Sequence, residues 1–320
     1  MSRLGTTTWV WGLAGCLWAG LATQQSTGGE FAVERHDGGV VVKLDGELFT
    51  DYRIDLGPKP ILWPIIGPTG ASMTRDFPLA VGKQRERLDH PHHRSLWFTH
   101  GDVNGIDFWS ERKGATGQIV HRDFVRVEGG ERAVIVTHND WLAPDGQRIL
   151  EDERRLAFAV DGDTRIIDFD IILKASDGPV VFGDTKEGTF GIRVPTAIDV
   201  DTRQGGRIVN SAGLTDGAAW GKAASWVDYQ GPIGDELVGI AILNHPASFR
   251  YPTHWHVRTY GLFAANPFGL HDFERGDANG RLELAAGESI ALYYRILLHR
   301  GDEQQADVAA AFARYAEEEK

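Results

Sequence analysis

The 320-residue chain has one cysteine, Cys16, and two methionines. A single thiol closes no intramolecular disulfide, so the folded protein must be held by its core. Long apolar runs are scarce as well. Beyond residues 1–22 no segment approaches the roughly 18 consecutive apolar residues that a spanning helix requires. Basic residues are the third shortage: 33 Lys and Arg stand against 45 Asp and Glu, for a net charge of −12. That balance argues against nucleic acid or an anionic membrane surface as partner, and weakly against strongly polyanionic substrates. A neutral or mildly acidic small molecule or oligosaccharide suits it better.

Residues 1–22 carry Arg3, then Thr6-Thr7-Thr8, then an apolar run from Trp9 to Gly20-Leu21-Ala22. This pattern predicts a secretory signal and a secreted or periplasmic protein. Leu13-Ala14-Gly15-Cys16 also has the form of a lipobox, which would make the protein a lipoprotein anchored through Cys16. Residues 23–30 are small and polar and read as a flexible tether, leaving residues 31–320 as one domain.

Strand signals dominate that domain. Residues 40–44 and 48–54 read as a hairpin about Asp45-Gly46. Residues 57–70 hold four prolines, too many for a central strand, and read as a rigid loop. Gly129-Gly130, Pro144-Asp145-Gly146 and Asp161-Gly162-Asp163 divide residues 118–176 into a four-strand meander. In its last strand Ile167, Phe169, Ile171 and Leu173 share one face. Asp168, Asp170 and Lys174 share the other, which is expected to be wet or functional. Further strand-like runs cover residues 180–182, 190–194, 226–229, 238–243, 255–262, 281–284 and 290–298. Only the tail after Asp302 looks helical, with Val308, Phe312 and Ala316 four apart. The prediction is an all-β fold, a large antiparallel sandwich with a short C-terminal helix.

Chemistry concentrates in three stretches. Residues 89–109 hold His90, His92, His93 and His100, four of the twelve histidines, with Trp97 and Trp109. After the Pro91 kink, residues 92–99 read as a strand with His92 and Arg94 on one face and His93 and Ser95 on the other. Asn104-Gly105 predicts a reversal that brings Asp107 back to His100. In residues 254–260 the same alternation groups His254, His256, Arg258 and Tyr260, with Trp255, Val257 and Thr259 opposite. Residues 182–193 place Asp184, Lys186 and Glu187 on a glycine-punctuated loop, where burial would raise a carboxylate toward general-base duty. The loops at Asn244-His245-Pro246 and Asn266-Pro267 are expected at the same rim. Ser95 and Ser110 are available hydroxyls, but neither sits in a nucleophile elbow.

Five segments carry a resemblance: Trp63-Pro64-Ile65-Ile66-Gly67-Pro68, His90-Pro91-His92-His93-Arg94-Ser95-Leu96-Trp97-Phe98, Asn104-Gly105-Ile106-Asp107-Phe108-Trp109, Gly183-Asp184-Thr185-Lys186-Glu187-Gly188 and Trp255-His256-Val257-Arg258-Thr259-Tyr260-Gly261. On these the chain resembles a bacterial family known as methane oxygenase PmoA or as a domain of unknown function. A membrane oxygenase subunit needs several spanning helices, so that name does not describe this chemistry. More loosely, the chain is similar to the galactose mutarotase supersandwiches, which implies a sheet presenting histidines, arginines, aromatics and a carboxylate to a sugar.

The expected function is that of a carbohydrate-active acid/base enzyme of epimerase, lyase or hydrolase type, working without a cofactor. Its catalytic set is His92, His93, Glu187 and His256, with Glu187 the general base and His92 or His256 the general acid. Arg94, Arg258 and Asn266 orient the substrate and Trp97, Trp109 or Trp255 stacks on it, with His100, Asp107, Lys186, Arg193 and His254 completing the binding set. The rival readings are a non-catalytic sugar-binding or interaction protein, and a metalloenzyme holding a divalent transition metal on His90, His92, His254 and His256. If the enzyme reading is right, the three stretches meet in one pocket, on the sheet face opposite Ile167, Phe169 and Ile171.

Overall fold

Turn residues divide the chain into short extended segments, and these pair antiparallel in the computed structural model, which describes residues 1, 2, 5, 29–81, 86–274 and 276–320. The signal segment, Cys16 and all of the tether before Gly29 lie outside the described residues, apart from Met1, Ser2 and Gly5. The first strands are β1 (Phe31–His36), β2 (Gly39–Leu44), β3 (Glu47–Arg53), β4 (Ile61–Ile65) and β5 (Leu96–His100). The meander follows as β6 (Gln118–Glu128), β7 (Ala133–Leu142), β8 (Arg148–Asp161) and β9 (Thr164–Lys174). Next come β10 (Val180–Phe182), β11 (Gly188–Arg193), β12 (Arg207–Asn210), β13 (Trp226–Ile233) and β14 (Glu236–Asn244). The last elements are β15 (His254–Val257), β16 (Leu262–Asn266), α1 (Leu270–Glu274), β17 (Leu282–Leu284), β18 (Ser289–Arg300) and α2 (Val308–Ala316).

Two eight-stranded sheets result. One runs β1-β2-β3-β4-β5-β11-β16-β15 and the other β12-β13-β14-β18-β9-β8-β7-β6, with β10 and β17 forming a separate pair. Their inner faces meet through aromatic rings: Phe98 and Phe190 of the first sheet contact Phe169 of the second at 6.3 and 4.8 Å, and Phe190 stacks on Tyr294 at 4.7 Å. All four are buried, and each contributes roughly 1.5–3 kcal/mol of apolar burial. The sandwich and the C-terminal helix stand as expected.

Several local expectations do not. Residues 61–65 form a central strand despite Pro64, because β5 pairs only with Ile61 and Leu62, and β3 skips Trp63 and Pro64 across a register shift. The missing Pro64 amide therefore leaves no ladder bond unmade. Residues 255–262 are two strands, β15 and β16, joined by a turn in which Gly261 donates to the Arg258 carbonyl at 3.0 Å. Residues 92–95 precede β5 as a turn, with Ser95 in the left-handed region at φ 55°. The polar face of β9 is not simply wet. Asp168 is buried against Arg295, with contacts of 2.6 and 3.0 Å, and α2 covers that end with Val308 and Tyr315.

Candidate functional site

The site stands on the outer face of the first sheet, at its β5-β11-β16-β15 end. Register places Trp97, Gly191, Ala264 and His256 in one row across those four strands. Small residues in the middle of the row keep the sheet surface low between the indole and the imidazole. A Cβ on Gly191 would come within 2.7 Å of the Trp97 ring, so only glycine lets that indole lie flat across β11.

The turn before β5 is built around an arginine. Buried Arg75 donates to the carbonyls of Asp89 at 2.8 Å, His90 at 2.9 Å and His93 at 3.3 Å, and to the Asp89 carboxylate at 2.7 Å. Asp89 accepts a second guanidinium, from buried Arg193, at 2.7 Å. This grip holds the imidazoles in a ring stack: Tyr260 on His90 at 5.1 Å, His90 on His93 at 4.8 Å and His93 on Trp97 at 5.3 Å, each pair within 16° of parallel. His92 and His93 are therefore neighbours at 4.4 Å rather than on opposite strand faces.

Beyond β5 the chain reverses at Asn104-Gly105 as expected, Val103 and Ile106 exchanging backbone bonds of 2.9 and 3.0 Å. Asp107 then caps the next turn, accepting from the Trp109 and Ser110 amides at 2.7 and 3.0 Å and from the Ser110 hydroxyl. The loop before β11 is fixed through its carbonyls: His100 Nε2 donates to Gly183 at 2.8 Å, Asn266 to Thr185 at 2.9 Å and His256 Nδ1 to Lys186 at 2.7 Å. Gly101 lets this loop close in, its amide reaching the Glu187 carbonyl at 2.7 Å.

These elements enclose an open cavity of about 490 Å³ lined by His90, His92, His93, Gly101, Asp107, Trp109, Ser110, Lys186, Glu187, His256, Arg258 and Tyr260. Its volume lies within the range of small-molecule sites, roughly 300–1,000 Å³. All three polar stretches of the sequence converge there. The floor is the outer face of the first sheet, not the sheet bearing Ile167, Phe169 and Ile171, because those side chains fill the core between the two sheets.

Hydrogen bonds fix the imidazole tautomers. Arg193 has only donors, so its 3.2 Å contact makes His93 Nδ1 an acceptor and leaves the proton on Nε2. The Lys186 carbonyl can only accept, so His256 Nδ1 carries the proton and Nε2 keeps its lone pair. Burial, reinforced by Lys59 and His90, pushes His92 down to about 4, and burial with Arg258 nearby does the same to His256. Burial and the cations beside it hold His93 well below the usual imidazole range. At neutral pH His92, His93 and His256 thus meet the cavity as uncharged imidazoles. Burial opposes ionisation of Asp107, yet the Ser110 and Trp109 bonds hold its carboxyl below the ordinary range.

Seven expected site residues stand behind the cavity or away from it. Arg94 is turned to Glu111, with contacts of 2.8–3.0 Å, and to the Leu56 carbonyl. Trp97 and Arg193 support the stack from beneath, His100 and Asn266 hold the Glu187 loop, and Trp255 is core, its indole bonded to the Ala224 carbonyl at 2.9 Å. His254 pairs with Glu274 at 2.8 Å and stacks on Phe273, so the four histidines proposed for a metal do not gather. Among the described residues no group of three or more His, Cys, Asp or Glu side chains is placed to share an ion. His245 contacts Tyr315 under α2, far from the expected rim. Glu187 is not buried, its side chain being 39 % exposed beside Lys186 at 3.6 Å. The cavity adds Tyr260, Ser110 and His90 as candidate ligands, and Arg75 and Asp89 as its builders. Alternation already grouped Tyr260 with His256, but nothing around Arg75 in the sequence marks it.

A model of a family of unknown function, DUF6807, matches residues 39–313. The chain belongs to that family. The DUF6807 description carries no methane-oxygenase name, and no helix of the described residues is long and apolar enough to cross a membrane. No curated protein matches. Among solved structures, an α-galactosidase of glycoside hydrolase family 36 from Geobacillus stearothermophilus is similar at 12% identity and TM-score 0.44, over 85% of this chain and 40% of that one. A putative aldose 1-epimerase from Escherichia coli K12 is similar at 13% identity and TM-score 0.34, over 86% of this chain and 100% of that one. A galactose mutarotase related enzyme from Lactobacillus acidophilus follows at 12% identity and TM-score 0.29, over 84% and 97%. The DUF6807 chain thus spans two-fifths of the galactosidase and the whole of the epimerase.

Proposed function

We propose that the cavity binds and processes a sugar, as a carbohydrate-active enzyme of epimerase, lyase or hydrolase type. The observation that carries this reading is the convergence of residues 90–110, 186–187 and 256–260 on one open cavity whose lining mixes aromatic rings with hydrogen-bonding groups. A pyranose offers the matching surfaces: apolar C–H groups for the ring edges of Trp109 and Tyr260 that reach the cavity, and hydroxyls around its own edge that both donate and accept. Neutral imidazoles suit hydroxyls better than imidazoliums do, because each keeps a lone pair.

In this reading His256 is the base rather than the acid, since its one proton is committed to the Lys186 carbonyl and its Nε2 lone pair has no partner among the described residues. The Tyr260 phenol, which burial keeps protonated against the pull of Arg258 and Arg193, is a hydroxyl donor on the same wall. Glu187, at the mouth beside Lys186, is the acid/base partner of His256. His92 and His93 position the ring.

The test is a panel of hexoses, uronates and their methyl glycosides incubated with the protein and followed by NMR. Turnover of at least one member is expected, with His256→Gln slowing it by 100-fold or more, the usual size of a lost general base. Full turnover by His256→Gln, Glu187→Gln and His92→Ala alike would show that the chemistry lies elsewhere. Binding without turnover by the wild-type protein would leave a sugar-binding protein rather than an enzyme.

A further inference from the structure

Arg258 lines the cavity with no carboxylate partner among the described residues, unlike the arginines that stand behind it. Arg75 and Arg193 are committed to Asp89, and Arg94 to Glu111. The Arg258 guanidinium is held instead by ring faces, 5.5 Å from the centre of Trp220 and 5.6 Å from that of Tyr260. Cation–π contacts of this kind hold a guanidinium in place while leaving its N–H groups unused. No side-chain hydrogen bond from that edge is made among the described residues. Two more donors stand at the wall. The Trp109 indole N–H is buried without an acceptor, and Lys186 has only Glu187, at 3.6 Å. A wholly neutral sugar would leave the guanidinium half-buried and unpaired, a costly arrangement when solvent is displaced.

We infer that the ligand of this cavity carries a carboxylate, as an acidic sugar of the uronate class does, and that Arg258 receives it edge-on through two parallel N–H···O bonds with Lys186 as the supporting charge. This inference rests on the sugar reading above and narrows it. A planar carboxylate matches the fork of a guanidinium that two rings hold at the wall. The formal charges at this wall cancel, Arg258 and Lys186 against Glu187 and Asp107, but Asp107 is spent on Ser110 and the Trp109 amide and Glu187 faces Lys186, which leaves Arg258 as the charge without a partner.

The experiment is calorimetric titration at low salt with matched pairs: methyl β-D-glucoside against methyl β-D-glucuronide, and methyl β-D-galactoside against methyl β-D-galacturonide, with glucose 6-phosphate alongside. The expected result is that the acid of at least one pair binds ten-fold or more tightly than its neutral partner. In Arg258→Gln the ratio should fall to about two or less, and in Arg258→Lys, which keeps the charge but not the fork, to an intermediate value. Thermal melts confirm that each variant is folded; if Arg258→Gln is not, the wild-type ratio and Arg258→Lys decide. The inference is overturned if neutral sugars bind as well as their acids, if Arg258→Gln keeps the preference, or if the sugar phosphate outcompetes the uronates. In those cases the sugar reading survives. Binding by no member of the panel would overturn both.

Discussion

Asp89 shows how much of the site depends on a residue that does not line it. Its carboxylate accepts both Arg75 and Arg193, each at 2.7 Å, and those guanidiniums in turn hold the His90 to His93 turn and the His93 tautomer. Burial alone would raise its pKa, but Arg193, His90 and Arg75 hold the carboxyl below the ordinary aspartate range. Asp89→Ala leaves two buried guanidiniums facing each other without an anion. The expected loss is about 3 kcal/mol, the low end for breaking a buried pair because the carboxylate is partly exposed, and urea denaturation measures it. A loss under about 1 kcal/mol would show that solvent replaces Asp89. His256 gives a second prediction at this scale. Its imidazole, pushed down to about 4, stays neutral well into acid, so the acid limb of kcat/KM is expected near pH 4 to 5. A limb at 6.5, the ordinary histidine value, would assign the base to another group.

At the scale of elements, the β5-β11-β16-β15 end of the first sheet is a platform whose flatness depends on Gly191. Adding one methyl there forces the Trp97 ring aside and with it the stack of His93, His90 and Tyr260. Gly191→Ala is therefore expected to destabilise the fold by roughly 1–3 kcal/mol, the usual size of an overpacked core. It should also weaken sugar binding several-fold, read by melting temperature and titration together. A variant with unaltered binding would show that the stack does not shape the cavity. The β4 strand and the β15-β16 hairpin mark where sequence patterns fall short. Proline content described β4 as a loop because one-dimensional rules cannot see that neighbouring strands leave Pro64 unpaired. Alternation read residues 255–262 as one strand because Arg258 and Tyr260 continue the spacing of His254 and His256 through the turn. The meander, the Asn104-Gly105 reversal and α2 were legible, since each is encoded by its own turn residues or spacing.

For the whole molecule, three distant stretches were readable as neighbours around one cavity because each joins imidazoles and charges to glycines in a sheet-forming context. Which members face the cavity was not readable. Arg94, His100, Asn266 and Trp255 carry the same chemistry as the lining residues but are spent on Glu111, Gly183, Thr185 and Ala224. Only the packing of strands from distant parts of the chain decides that. The same packing gives the molecule a pH signature. Burial pushes His92, His100 and His256 down to about 4 in the fold, against about 6.5 in the unfolded chain. The unfolded state thus takes up protons first, so their stabilising contribution is full above pH 6.5 and is lost as pH falls toward 4. His299 runs the other way, burial opposing its charge but Asp228 raising it overall, so its contribution is full below 6.5 and fades as pH rises past its folded value. His93, His121 and His245 are also lowered by burial, so with six histidines against one the melting temperature is expected to fall on acidification from pH 6.5 to 4, and calorimetry at constant ionic strength would register it. A melting temperature that holds or rises over that interval would mean that the site imidazoles are charged.

The central claim is that residues 90–110, 186–187 and 256–260 make one sugar site. It is tested most directly by a crystal structure of His256→Gln soaked with the sugar that the wild-type protein binds best. The account predicts a pyranose between Trp109 and Tyr260, with Glu187 at its edge and a hydroxyl or ring hydrogen facing position 256. A sugar seated instead in the cleft beneath α2 beside Arg295 and Arg314, or in the one between Arg94 and Lys113, would contradict it.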